Sequence, residues 1–278
     1  MAYQPYSSFW QGATPAARDL AYDNTRAVVD SPALIAARNE EAAVFRAAHA
    51  GHLDLAYGPG QRQHWDLFPG ANPNAPCLVF IHGGYWQRNR REDFCAFMAG
   101  ALAMGWSAAL PGYTLAPTAT LTDIVDEVSA SLDWLAANGS AHGISGPVVL
   151  SGWSAGGHLA AMCLDHPLVA AGLAISGIYE LGPIRDTYLN EKLQLGDDEV
   201  ARLSPLRLPV VQKPLLVTYG TAELPALVAN ARDFHGLRAA AHAPGALLPV
   251  PGANHFTILD QLRAADGALA RQLPLLFP

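Results

Sequence analysis

Residues 147–164 read PVVLSGWSAGGHLAAMCL, and the change of character inside this stretch decides the fold. Val148, Val149 and Leu150 form a short aliphatic run after Gly146-Pro147, the pattern of a strand buried on both faces of a parallel sheet. Gly152-Trp153-Ser154-Ala155-Gly156 follows and fits G-x-S-x-G, a turn that lifts a serine hydroxyl above the carboxyl end of a central strand. So tight a turn pushes the serine toward unfavourable backbone angles, and its neighbours two positions away must lack side chains for strand and helix to approach. From Ala155 the small and apolar residues fall at helical spacing, which sets Ser154 beside a helix N-terminus whose partial positive charge favours an anion. Alone, three fixed positions arise by chance in a chain rich in alanine and glycine. Placement between a strand and a helix, with partners following in order, makes Ser154 a candidate nucleophile.

The 278 residues contain no Pro/Gly/Ser-rich linker, so a single domain over 1–278 is expected. With a net charge of −7 and basic residues scattered apart from Arg88, Arg90 and Arg91, nucleic acid is not an expected partner. No apolar stretch reaches the roughly eighteen residues of a membrane span, and the polar opening MAYQPYSS does not read as a signal peptide. Cys77, Cys95 and Cys163 are odd in number and lie in apolar surroundings without close spacing, which argues for reduced thiols and a cytoplasmic location. A homodimer is allowed by the sequence but not indicated by it.

Residues 1–50 carry helical patches from Pro15 to Ala27 and from Pro32 to His49, with Thr14 and Ser31 placed as caps. This N-terminal helical segment precedes any strand and is an accessory layer, either covering a pocket or packing on the side of the sheet. His49 and His52 read as surface residues. Two alternating runs, His52 to Tyr57 and Gln63 to Phe68, flank Gly58-Pro59-Gly60 as an antiparallel edge hairpin. Cys77 to Ile81 is the first buried parallel strand and leads into His82-Gly83-Gly84-Tyr85-Trp86. Two glycines after a central strand free their backbone N–H groups to face a cavity. With the N–H of Ala155, those of Gly83 and Gly84 form a candidate oxyanion hole. A plain strand-to-loop turn is the alternative. His82 is expected to fasten this loop by a hydrogen bond rather than act as a base.

Beyond it, Phe94 to Met104 reads as a helix, Trp106 to Leu110 as a strand, Leu121 to Ala137 as a longer helix and Ala171 to Ser176 as a strand. Residues 177–213 break the rhythm as a small cap-like excursion. Leu215 to Tyr219 and Leu247 to Val250 are further strands, and Phe256 to Leu273 a closing helix. The βαβα alternation implies an α/β fold, a mostly parallel central sheet of about eight strands with helices on both faces.

Two further residues complete the chemistry. Glu223 follows the strand ending at Tyr219 and is the one acid of its loop, since Asp233 lies well into the next helix and Glu180 comes one βα unit too early. A helix N-terminal acid complementing the dipole is the alternative reading of Glu223. His255 follows the last strand. The order Ser154, Glu223, His255, each just past a strand, is that of a nucleophile, an orienting carboxylate and a general base. Acyl transfer follows: His255 takes the Ser154 proton, Glu223 holds the imidazole tautomer, and Gly83, Gly84 and Ala155 receive the oxyanion. Such chemistry requires no metal or organic cofactor, and its partner is a small-molecule substrate.

These features resemble the α/β-hydrolase superfamily over essentially the whole chain. HGGYW at 82–86, GWSAG at 152–156 and PGANHF at 251–256 resemble the kynurenine formamidase (arylformamidase) group, itself close to the hormone-sensitive-lipase-like esterases. Glu223-Leu224-Pro225 matches the position where that group carries its acid, although aspartate is common there. The esterases usually show a third glycine where this chain has Tyr85, and Trp86 is a formamidase-like feature. The resemblance implies hydrolysis of a small aryl formamide such as N-formylkynurenine, with a short-chain carboxylesterase as the alternative and a noncatalytic hydrolase-fold binding protein as the outsider. Tyr85, Trp86, Trp153, Tyr179 and Phe256 lie beside the proposed site and are expected to line an aromatic pocket, with ordinary packing the alternative for each.

Overall fold

Eight strands form one sheet in the computed structural model, which describes residues 13–277. They are β1 (His52–Ala56), β2 (His64–Phe68), β3 (Cys77–Ile81), β4 (Ser107–Pro111), β5 (Val148–Trp153), β6 (Val169–Ile175), β7 (Leu215–Gly220) and β8 (Gly245–Val250). Their spatial order is β1-β2-β4-β3-β5-β6-β7-β8. The hairpin pair runs antiparallel, β2 is antiparallel to β4, and every pairing from β4 to β8 is parallel. Every residue of β3, β4, β5 and β7 is buried, which is why these stretches are mostly apolar and do not alternate with polar residues. The opening MAYQPYSS lies outside the described residues, among which no helix is long and apolar enough to cross a membrane.

Alternate residues of each central strand enter separate cores. Cys77, Val79, Ile81, Val148 and Leu150 pack with Ile124, Val128, Leu132 and Leu135 of the helix Leu121–Asn138. Leu78, Phe80, Val149 and Trp153 pack with Phe94, Met98, Ile258 and Leu262 on the other face. Each fully buried aliphatic side chain contributes about 1.5–3 kcal/mol through removal from water.

Four local expectations are corrected. The first helical patch divides into Pro15–Leu20 and Asn24–Ala27, because Asp23 caps the second piece by accepting from Arg26 N at 3.0 Å. Thr14 caps the first piece, accepting from Ala17 N at 3.3 Å. Ser31 is no cap: it sits inside the helix Ser31–Ala48 and its hydroxyl donates to the Thr25 carbonyl at 2.8 Å. Arg91–Met98 is 3-10 helix and only Ala99–Ala103 is α-helical. The closing segment is two 3-10 stretches, Thr257–Leu262 and Ala270–Leu276, rather than one helix. Gly267 falls between them against the Gln261 carbonyl, and Pro274 interrupts the second.

Three short helices, Gly182–Arg185, Asn190–Leu193 and Asp197–Leu203, build the excursion after β6 and bury Leu181, Ile184, Leu193 and Leu203 on the first core. Glu180 is buried at its base and paired with Arg207 at 2.7 Å, a structural ion pair. The N-terminal segment is fastened to the sheet by a buried carboxylate. Asp66 on β2 accepts from Arg46 Nε at 2.8 Å and from Asp54 N at 3.0 Å, with Arg91 Nε at 3.3 Å.

Candidate active site

Ser154 stands between β5 and the helix Ala155–Met162 with φ 58° and ψ −118°, a conformation a non-glycine residue holds only when its surroundings impose it. The two glycines impose it. A Cβ on Gly152 would strike the Gly156 carbonyl, and one on Gly156 the carbonyl of Ile81, so the strand, the turn and the helix meet with no room for a methyl group. β7 ends at Gly220 and presents Glu223; β8 ends at Val250 and its following loop presents His255. Asn254 shapes that loop, its Oδ1 accepting from Phe256 N at 2.9 Å and Thr257 N at 3.0 Å.

The three side chains meet above the sheet. His255 Nε2 lies 3.1 Å from Ser154 Oγ, and His255 Nδ1 lies 2.8 Å from Glu223 Oε2. All three are buried, the most exposed being Glu223 at 8%. Glu223 Oε1 accepts from Gly220 N at 2.6 Å and from the hydroxyl of Ser176, also at 2.6 Å. With both carboxylate oxygens held, Nδ1 carries the proton and Nε2 faces Ser154 as an acceptor, the tautomer a general base needs. Trp153 adds a further hold on the histidine, its Nε1 donating to the His255 carbonyl at 2.7 Å with the two rings 4.8 Å apart. Ser176 was not legible in the sequence. Its sole signal is its place at the end of β6, where a left-handed φ of 50° turns the hydroxyl toward the acid.

Gly83 lies against the serine: a Cβ there would fall 2.5 Å from the Trp153 carbonyl and 2.9 Å from Ser154 Cβ. Gly84 takes φ 115°, and Tyr85 and Trp86 follow with φ of 51° and 58°. Among the described residues no backbone acceptor takes the N–H of Gly83, Gly84 or Ala155, which leaves them free for an oxyanion. His82 behaves as expected. Its Nδ1 bonds the Gly83 carbonyl at 2.9 Å, Tyr113 Oη donates to its carbonyl at 2.9 Å, and burial depresses its pKa to about 3.

A compartment of about 70 Å3 opens at Ser154 and His255, and a second of about 260 Å3 adjoins it; Ile35, Arg38, Trp153 and Phe256 wall both. Tyr85, Trp153 and Phe256 are placed in the wall of the inner compartment. Trp86 and Tyr179 are not: both are fully buried and belong to the core. Consecutive left-handed residues turn the Trp86 indole beneath its loop, edge-on to His158 at 5.1 Å. Tyr179 is drawn under the helix Pro225–Ala240, stacking on Phe234 at 4.2 Å, while Asn230 Oδ1 accepts from its N–H at 2.6 Å. The N-terminal segment covers the pocket, since Asn24, Thr25, Ile35 and Arg38 line the inner compartment. Tyr85 joins that segment to the glycine loop by donating to the Tyr22 carbonyl at 2.6 Å and accepting from Asn24 Nδ2 at 3.0 Å. Among the described residues no group of three His, Cys, Asp or Glu side chains is placed to hold a metal ion.

Residues 67–164 match the family model described as BD-FAE. The chain is 31% identical over 239 residues to a kynurenine formamidase of Salmo salar, covering 80% of each protein. Over 226 residues it is 29% identical to a kynurenine formamidase of Danio rerio, covering 76% of each. It superposes with a TM-score of 0.81 and 28% identity on a crystal structure from Silicibacter sp. TM1040, provisionally named a thioesterase, covering 91% of this chain and 97% of that one.

Proposed function

The chain belongs to the kynurenine formamidase family of α/β-hydrolases, and from that premise we propose that this hydrolase uses a serine nucleophile to deformylate a small aryl formamide such as N-formylkynurenine. The hydrogen-bonded line from Ser154 through His255 to Glu223 carries this reading. His255 Nε2 removes the hydroxyl proton as Ser154 Oγ attacks the formyl carbon, and Glu223 stabilises the imidazolium that forms. The N–H groups of Gly83, Gly84 and Ala155 receive the oxyanion, each such donor being worth about 2.7–4 kcal/mol of transition-state stabilisation. Proton return from His255 to the arylamine nitrogen releases the amine. Water activated by the same histidine then frees formate from Ser154.

The compact space at Ser154, about 70 Å3, supports a one-carbon acyl group, with the aryl leaving group in the larger compartment. A short-chain carboxylesterase is the second reading, since an ester offers Ser154 a better leaving group than an amide does. One experiment decides between them: formate release from N-formylkynurenine is compared with hydrolysis of 4-nitrophenyl esters from acetate to hexanoate, with Ser154→Ala as control. A formamidase releases formate rapidly and turns over acyl chains beyond acetyl poorly. The reverse order assigns the chain to the esterases, and unchanged rates in Ser154→Ala exclude the mechanism.

A further inference from the structure

Arg38 is a buried cation facing the site without an anion of its own. It is 7% exposed, yet its hydrogen bonds go to neutral partners: Nε and Nη2 donate to Asn39 Oδ1 at 3.0 and 2.8 Å, and Nη2 to Asn89 Oδ1 at 3.3 Å. Among the described residues Nη1 makes no hydrogen bond, and no carboxylate lies within 4.0 Å of the guanidinium. Its flat face rests on Phe94 at 4.3 Å. Burial lowers its pKa to about 10, the mark of a charge whose lost hydration is not replaced by a counter-ion.

The charges around it are otherwise accounted for. The inner compartment is lined by two cations, Arg38 and the exposed Arg88, and by no aspartate or glutamate, although the chain as a whole carries −7. In the outer compartment Glu41 and Asp260 are both engaged by Arg263, at 2.5 and 2.8 Å. Asp93, which acts on Arg38 electrostatically, is held by Arg90 at 2.9 Å and lines neither compartment.

We propose that Arg38 is the specificity-determining residue for a carboxylate carried on the leaving-group side of the substrate, so that the site prefers anionic over neutral aryl substrates. This deepens the acyl-transfer reading and rests on it for placing the acyl group at Ser154. A guanidinium presents a planar fork that matches a carboxylate, and the burial of Arg38 strengthens the pairing. Its place in the wall shared by both compartments sets the anion on the route to Ser154. A purely positioning role is the competing account, because Asn89 relays Arg38 to the glycine loop by donating to the Gly83 carbonyl at 3.1 Å.

The test measures competitive inhibition of 4-nitrophenyl acetate hydrolysis by 3-phenylpropanoate and by 3-phenylpropanamide, in the full-length parent, Arg38→Gln and Arg38→Lys. The parent is expected to bind the propanoate at least about tenfold more tightly than the propanamide. Arg38→Lys keeps part of that preference. Arg38→Gln brings the ratio near one while leaving the propanamide constant within about threefold. Equal inhibition by the two ligands in the parent overturns the proposal. So does an Arg38→Gln enzyme that retains the preference, or one that loses affinity for both ligands in parallel, the outcome of positioning alone. Should Arg38→Gln fail to fold, Arg88→Gln decides: a preference that survives there upholds Arg38, and one that vanishes transfers the role to Arg88. Formate release from N-formylkynurenine is recorded separately, so failure of the formamide reading and failure of this one register independently.

Discussion

The hydroxyl of Ser176 donates to Glu223 Oε1 at 2.6 Å, and this leaves Oε2 as the oxygen that orients His255. A hydrogen bond to a charged group is worth about 1.5–3 kcal/mol, and Gly220 N still holds Oε1 when the hydroxyl is removed. Ser176→Ala is therefore expected to lower kcat/KM about tenfold, well short of the loss in Ser154→Ala. Steady-state kinetics on 4-nitrophenyl acetate check this, and a rate equal to the parent's would separate Ser176 from the proposed triad.

Gly83→Ala places a methyl group 2.5 Å from the Trp153 carbonyl and 2.9 Å from Ser154 Cβ. Since the neighbouring chain is backbone at the end of a buried strand, the glycine loop must yield, carrying its N–H groups away from the oxyanion position. The expected result is a fall in kcat of about 100- to 1000-fold with KM little changed, the signature of a lost transition-state contact. A variant in which KM rises and kcat is retained would place Gly83 in ground-state binding instead.

Asp66 is fully buried among Arg46, Arg91 and the Asp54 N–H. Asp66→Asn removes the buried carboxylate of a network in which Arg46 and Arg91 keep that of Asp54, so the loss is expected at the lower end of the range of about 3–5 kcal/mol for breaking a buried ion pair from one side. A fall in Tm of about 10 °C is expected, and, because Arg46 lies on the helix that also carries Arg38, tightened inhibition by 3-phenylpropanoate should weaken as well. Calorimetry at fixed pH measures the first effect; an unchanged Tm would show that the cluster contributes no net stability.

Two buried histidines set a pH window for stability. Burial depresses His82 to about 3 and His158 to about 4. Each has one nitrogen without a partner, Nε2 of His82 and Nδ1 of His158, so the neutral ring fits and the charged ring does not. A histidine held neutral contributes stability that is full above its unfolded pKa, near 6.5, and is lost as pH falls toward the folded value. Between about pH 6 and 4.5 the unfolding free energy is expected to drop by about 1.4 kcal/mol per unit for each histidine. His158→Gln, which keeps a donor toward the Leu203 carbonyl now bonded at 2.7 Å, should halve the slope. Denaturant melts across that range would show an undiminished slope if His158 had no part in it.

Where chemistry and backbone geometry demanded particular residue types, the sequence was legible. G-W-S-A-G and H-G-G-Y-W are steric solutions, and the structure uses their glycines as solutions to close approach. The strands β3 to β7 were readable because burial on both faces leaves little but aliphatic side chains. What escaped depends on direction rather than type. Trp86 and Tyr179 stand next to the site in the chain, but the left-handed backbone at Tyr85 and Trp86 and the packing of Phe234 send both rings inward. Ser176, an ordinary strand-end serine, and Arg38, an ordinary helix arginine, gain their roles from contacts 47 and 51 residues away, with Glu223 and Asn89. The 3-10 segments after His255 were missed because apolar spacing alone does not separate them from an α-helix.

The pocket wall supplied by Asn24, Thr25, Ile35 and Arg38 comes from a stretch that precedes every strand, while Ser154, Glu223 and His255 all come from strand ends. One wall of the cavity is thus encoded apart from the three strand-end side chains, while Gly84, Tyr85, Trp153 and Phe256 of the strand ends and the loops after them supply much of the rest. Because Tyr85 bonds Tyr22 and Asn24, and Asn89 joins Arg38 to Gly83, that early wall is also tied to the glycine loop, so a change of wall reaches the proposed oxyanion site.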